Sequence, residues 1–240
     1  MGRAHEVRAA SMAKTAAMKS KLYSRYGKEL YIAAKSGVPD PEMNLTLKRK
    51  IAEAKANQVP ADVIKRAIEK AKGGSTENYD SLRYEGIGPS GATIIIDCLT
   101  DNSNRTVAAM NQCFNKSHCK LGVKGSVSFN YDNLAVLSFP YEDEDKMLEE
   151  LINADVNVSD IECEEGQMTV YADPSDLHKA QECIEAMIPD VEFSTLAIKM
   201  LPHEYVKLED PEEKELWDRL LRLLNDVEDV QEIFHNVIED

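Results

Sequence analysis

Gly86-Ile87-Gly88-Pro89-Ser90-Gly91-Ala92-Thr93-Ile94-Ile95-Ile96 is the stretch on which the fold turns. Its first six residues fit G-x-G-x-x-G, the phosphate-binding turn of dinucleotide folds, which requires a strand before it and a helix after it. The residues that follow are β-branched and predict a strand instead. The glycines therefore mark a hairpin turn between strands 82–87 and 92–99. The best candidate for a nucleotide-dependent enzyme is lost with that assignment.

Working outward, the pattern downstream is α+β. Residues 104–116 read as a helix capped by Asn104, and 126–131 alternate as a strand. A second unit follows: strand 134–139, helix 143–154, strands 158–163 and 167–172, helix 174–187 and strand 191–200. That order, βαββαβ, is ferredoxin-like. Helix 211–224 and strand 230–235 then complete a ββαβ…αβ set begun before the unit.

Upstream the chain reads as helices. Residues 12–35 contain no Pro and one Gly. Ser36-Gly37-Val38-Pro39-Asp40-Pro41 breaks the helix, Asn44 caps 45–56, and Pro60 opens 61–72. The expected fold class is α+β multidomain: an N-terminal helical domain (1–75), a discontinuous α+β domain (76–133 and 205–240), and an acidic ferredoxin-like domain (134–204) inserted into the second.

Charge follows the same division. Residues 1–75 carry a net +9 and residues 76–240 a net −24, against −15 for the whole chain. A basic module on an acidic body attracts polyanions while the body limits which surface docks. At 100° per residue Lys14, Lys21, Arg25, Lys28 and Lys35 fall within an arc of roughly 80°. Leu22, Tyr26, Leu30 and Ala33 occupy a separate face. Lys48-Arg49-Lys50 and Lys65-Arg66 add charge from the neighbouring helices. The expected phosphate contacts are Lys14, Lys21, Arg25, Lys28, Lys35, Lys48, Arg49 and Lys50, with Arg105 as a further candidate. The bland alternative is a solvated helix face. Tyr23, Tyr26 and Tyr31 could stack bases, but helix-spaced tyrosines are more often core residues.

Other clusters point to little chemistry. Residues 101–106 enter a helix N-terminus that suits phosphate, but capping by Asn104, with Asp101 and Arg105 tying the loop, explains them equally. Cys113, His118 and Cys119 lack the C-x-x-C spacing and fourth ligand of tetrahedral zinc, and Cys113 falls on an apolar helix face with Val107, Met110 and Phe114. No nucleophile–base pair is apparent. The sequence thus predicts no catalytic residues, no metal and no cofactor. Five scattered cysteines fit reduced thiols in the cytoplasm. No apolar stretch approaches the ~20 residues of a membrane span.

Several motifs in fixed order resemble the YebC family. They are Asp40-Pro41 with Asn44, Val59-Pro60 through Arg66-Ala67-Ile68 to Lys72-Gly73-Gly74, Tyr84-Glu85-Gly86 with Gly88-Pro89 and Gly91, Leu99-Thr100-Asp101-Asn102 with Asn104-Arg105-Thr106, and Leu121-Gly122 with Gly125-Ser126-Val127. Asp176-Leu177-His178-Lys179 and Asp229-Val230-Gln231 with His235-Asn236-Val237 are similar to its YeeN-like branch. The family's Lys-Trp N-terminal segment is absent, and Ser117-His118-Cys119 replaces a usual Gly pair. The resemblance implies a three-domain fold and a DNA-binding transcriptional regulator; relatives that act on the ribosome imply a translation factor binding rRNA or mRNA as the alternative. A protein-interaction module whose acidic domain engages a basic partner is a third reading.

Overall fold

The computed structural model describes residues 16–73 and 78–238. Lys14 and residues 12–15 of the expected first helix lie outside them. Helix α1 (Ala16–Lys35) is followed by α2 (Leu45–Ala56) and α3 (Ala61–Lys72), both packed on α1. Tyr26, Leu30, Ala33, Leu47, Ala54, Val59, Ile64 and Ala67 fill the space between them. Asn44 organises the turn: its Oδ1 accepts the Leu47 amide at 3.0 Å, while its Nδ2 donates to the carbonyls of Ala33 and Val38. One side chain thus caps α2 and ties it to the end of α1.

The first sheet contains β1 (Asp80–Ile87), β2 (Thr93–Thr100), β3 (Lys120–Leu121) and β8 (Val230–His235), in the order β3-β1-β2-β8 with antiparallel neighbours. Helices α4 (Ser103–Lys116) and α7 (Pro211–Asn225) cover one face, with Ile94, Ile96, Met110, Phe114, Trp217, Leu220 and Leu224 between them. Ile95 faces the opposite side, against Val127, Tyr131 and Met200. Both faces of β2 are buried, so its sequence is a continuous apolar run rather than an alternation.

Strands β4 (Tyr131–Pro140), β5 (Val158–Glu164), β6 (Gln167–Ala172) and β7 (Thr195–Pro202) form the second sheet, in the order β5-β6-β4-β7. Its helices are α5 (Glu144–Asn153), capped by Asp143, and α6 (Leu177–Met187). Leu137, Phe139, Met147, Leu151, Val170, Ala180 and Ile184 form that core. The first strand lies between the fourth and third, the strand order of the ferredoxin-like pattern.

Three local expectations are corrected. Residues 126–130 are not a strand: Ser128–Asn130 is a 3-10 turn, and the third strand of the first sheet is the two-residue β3. The amides that a strand would have paired are taken by a carboxylate, as described below. Helix α4 is capped by Asn102, whose Oδ1 accepts the Arg105 amide at 3.1 Å, rather than by Asn104. Residues 174–176 form a 3-10 turn ahead of α6.

The 86–91 segment is the expected hairpin turn, with a 3-10 turn at Pro89–Gly91 joining antiparallel β1 and β2. Its glycines serve packing. A Cβ at Gly86 would collide with the Phe114 ring, and one at Gly88 would come within 2.7 Å of Trp217. Gly86→Ala is expected to destabilise this layer by roughly 1–3 kcal/mol, because a buried ring in a packed core cannot retreat. Trp217, the chain's single tryptophan and 2% exposed, reports the loss as a lowered unfolding midpoint by fluorescence.

Candidate nucleic-acid interface

The cations of α1 turn towards the C-terminal segment. Lys21 Nζ donates to the Asn225 carbonyl at 3.1 Å, and Lys28 Nζ to that of Glu228 at 3.2 Å. Both carbonyls belong to the end of α7 and the turn after it, where the helix dipole favours cations. Arg25 Nη1 meets Glu232 on β8 at 2.7 Å, and its Nε meets Glu29 at 2.8 Å. Lys21, Ser24 and Arg25 on one side, and Asn225, Asp226, Glu228 and Gln231 on the other, line a cavity of about 240 Å³. Burial lowers the Lys21 amine from 10.5 to about 8, although nearby Cys98 and Asp226 favour its charge. Burial also works against the Arg25 charge, but Glu232 and Glu29 more than offset it and raise the pKa.

The network continues inward. Lys50 bridges Glu29 at 3.1 Å and Glu53 at 2.7 Å, and Glu53 accepts from the Tyr26 hydroxyl at 3.2 Å. Burial raises the Glu29 pKa, but Arg25 and Lys50 outweigh it and leave the group below its ordinary value. Tyr26 and Tyr31 are each 2% exposed, so both are core residues.

Arg105 ties the start of α4 to the turn before β8. It pairs with Asp101 at 2.8 Å and with the buried Asp229 at 2.7 Å, and Asp229 also accepts from Thr106 Oγ1 at 3.0 Å. Lys35 Nζ donates to Asn78 Oδ1 and lies over the Tyr31 ring.

Of the expected phosphate contacts, therefore, Lys21, Arg25, Lys28, Lys35, Lys50 and Arg105 have partners within the fold. The stripe does not form one outward patch. Its core-versus-charge geometry follows the helical period, but the charged side meets β8 and the turn before it. Lys48 and Arg49 are exposed on α2, as are Lys55 on α2 and Lys65, Arg66, Lys70 and Lys72 on α3. Lys48 approaches Glu42 at 3.8 Å and Lys65 approaches Glu69 at 3.9 Å, both on the surface. Such pairs contribute at most about 1 kcal/mol, so they yield readily to a stronger anion. The pKa of His178 on α6 is lowered by burial and by the charge of Arg49.

A second feature was not singled out in the sequence. The Glu85 side chain, on a residue 2% exposed, accepts three amides: Gly125 at 2.7 Å on Oε1, and Val127 at 2.7 Å and Ser128 at 3.0 Å on Oε2. Burial disfavours the carboxylate, yet these bonds prevail and lower its pKa. The signal was present as an acid between apolar strand residues in Tyr84-Glu85-Gly86. Its partners are 40 residues away and could not be named. Cys113 is 5% exposed beside Met110 and Phe114, as its helix face predicted.

Comparisons with known proteins agree with this architecture. The family model for the TACO1/YebC protein N-terminal domain matches residues 3–74, and that for the TACO1/YebC second and third domain matches residues 79–237. A "Probable transcriptional regulatory protein" of Acholeplasma laidlawii is 52% identical, covering 99% of this chain and 98% of that protein. One from Alteromonas mediterranea is 44% identical over 99% of each. The crystal structure of a conserved hypothetical protein from Aquifex aeolicus superposes with a TM-score of 0.75 at 30% identity, covering 95% of this chain and 94% of that one. With helical and α+β parts both matched along nearly their whole length, the chain belongs to the TACO1/YebC family.

Proposed function

We propose that the protein is a non-enzymatic, nucleic-acid-binding regulator of gene expression that acts on DNA, a reading in keeping with the transcriptional regulatory role in its relatives' names. The observation that carries this is the excess of exposed cations, Lys48, Arg49, Lys55, Lys65, Arg66 and Lys72, on two adjacent helices of the basic module, where Arg66 also pairs with Asp62 on the surface. Lysines and arginines on phosphates position a protein without reading base sequence. Lys21, Arg25 and Lys28 instead tie α1 to the C-terminal segment, while Lys50 and Arg105 brace the interiors of their own domains. We read the chain as three domains, with the acidic 134–204 unit inserted into the second. The placement of β8 beside β2, with β4–β7 forming a sheet of their own, supports that division.

Duplex DNA, single-stranded RNA and ribosomes, each compared at two salt concentrations, test the proposal. Replacing Lys48, Arg49, Lys65 and Arg66 together by Glu is expected to reduce the slope of log K against log salt on duplex by about 0.9 for each phosphate contact removed. Unchanged affinity and slope would remove this surface from the reading. A preference for ribosomes that survives high salt would favour the translation-factor alternative.

A further inference from the structure

Residues 102–131 contain Arg105, Lys116, Lys120 and Lys124 and not one Asp or Glu, within a region whose net charge is −24. Arg105 is committed to Asp101 and Asp229, whereas Lys116, Lys120 and Lys124 are exposed. Two large apolar side chains stand out from the same stretch, Val123 at 77% and Phe129 at 70% exposure. Ile87, 40% exposed, pairs directly opposite Lys120 across β1 and β3, so the two side chains share a face.

A lone exposed apolar residue requires no explanation. What distinguishes Phe129 is the rigidity of its base. The Glu85 carboxylate gathers the amides of Gly125, Val127 and Ser128, while the Glu85 carbonyl accepts from Gly122 at 2.8 Å. Ser126 donates to Val123, and Asn130 donates to Val127 and accepts from the His203 amide at 2.9 Å. A 3-10 turn thus presents the ring on a segment held by many hydrogen bonds, at the end of a stretch whose charges are all cationic. Asp132, the first acid beyond it, is paired with His203 at 2.9 Å.

We propose that this face binds unpaired, single-stranded nucleic acid, with Phe129 stacking on a base and Lys120 and Lys124 holding the neighbouring phosphates. The inference rests on the nucleic-acid reading above and adds the strandedness of the target at a second surface. A protruding ring meets an unstacked base face to face, while in a duplex those faces are already covered by neighbouring pairs. Every base offers a π-face, so the contact is tolerant of sequence. A cationic stretch without acids suits a polyanion better than a neutral apolar partner.

Binding of the full chain to oligouridylate, oligothymidylate and a mixed-sequence DNA duplex, read by fluorescence anisotropy, is the test. Phe129→Ala is expected to weaken single-strand binding roughly five- to hundred-fold, the range that follows loss of one stacked base, and to leave duplex binding within about two-fold. Phe129→Trp should restore it. Lys120→Glu with Lys124→Glu should lower the single-strand salt slope by about 0.7 per phosphate lost. The Phe129 side chain is largely solvent-exposed, so its truncation should leave the unfolding midpoint read by Trp217 in place. Unchanged single-strand affinity in Phe129→Ala, or an equal loss on duplex, would overturn the proposal. Wild-type protein that binds duplex but not single strands would overturn it and leave the regulator reading standing; wild-type protein that binds neither would sink both.

Discussion

Glu85→Ala is expected to destabilise the first sheet and its helices by about 3–5 kcal/mol, since it strips the acceptor from three amides at once. Each of those donors, on Gly125, Val127 and Ser128, has the Glu85 carboxylate as the acceptor shown for it. Glu85→Gln should recover part of the loss, because its amide oxygen still accepts, while its NH2 group faces a donor. Trp217 fluorescence in a urea titration measures the change, and hydrogen exchange at the three amides should accelerate in step. A midpoint within about 0.5 kcal/mol of wild type would show that the carboxylate is not what holds the turn. The pH dependence has a definite sign. The folded-state pKa lies below the ordinary glutamate value, so the contribution is fully present above that range and is lost as pH falls through the depressed folded value.

Arg25→Met is the second large effect. The methionine keeps much of the stem's packing but removes the charge shared by Glu29 on α1 and Glu232 on β8. Glu29 retains Lys50, whereas Glu232, 25% exposed, loses the partner shown for it. Breaking a largely buried pair from one side costs about 3–5 kcal/mol, and partial exposure here brings the expectation to about 2–4. The measurement is a double-mutant cycle of Arg25→Met with Glu232→Gln, read as the loss of contact between α1 and β8. Strong coupling is expected, because removing both charges leaves less uncompensated than removing either. Additivity within about 0.5 kcal/mol would mean that the two side chains do not support each other. The cleft lined by Lys21 and Asn225 should open in the same variant, exposing the Lys21 amine and returning its pKa towards 10.5.

The legible parts of this chain were those set by near neighbours. The Gly86–Gly91 turn followed by β-branched residues identified a hairpin, and the structure shows why both Gly86 and Gly88 are needed: a ring packs against each. The βαββαβ order was readable because periods of 2 and 3.6 survive in half-buried elements. Residues 126–130 misled because their alternation was genuine, yet Glu85 claims their amides from another strand. Asn102 and Asn104 were equivalent as caps by composition. Only the backbone path places Asn102 at the position from which its oxygen reaches the Arg105 amide.

Sequence alone determined the division into a basic helical part and an acidic α+β remainder, the order of the elements, and the family. These depend on residue type, local period and turn chemistry, which act over a few residues. Tertiary structure alone decided which cations meet solvent. A helical wheel assigns Lys21, Arg25 and Lys28 to one side of α1, but what lies against that side arrives from some 200 residues later in the chain. A charge's role depends on the dielectric and the partner it meets after folding, and neither is encoded by its neighbours in sequence.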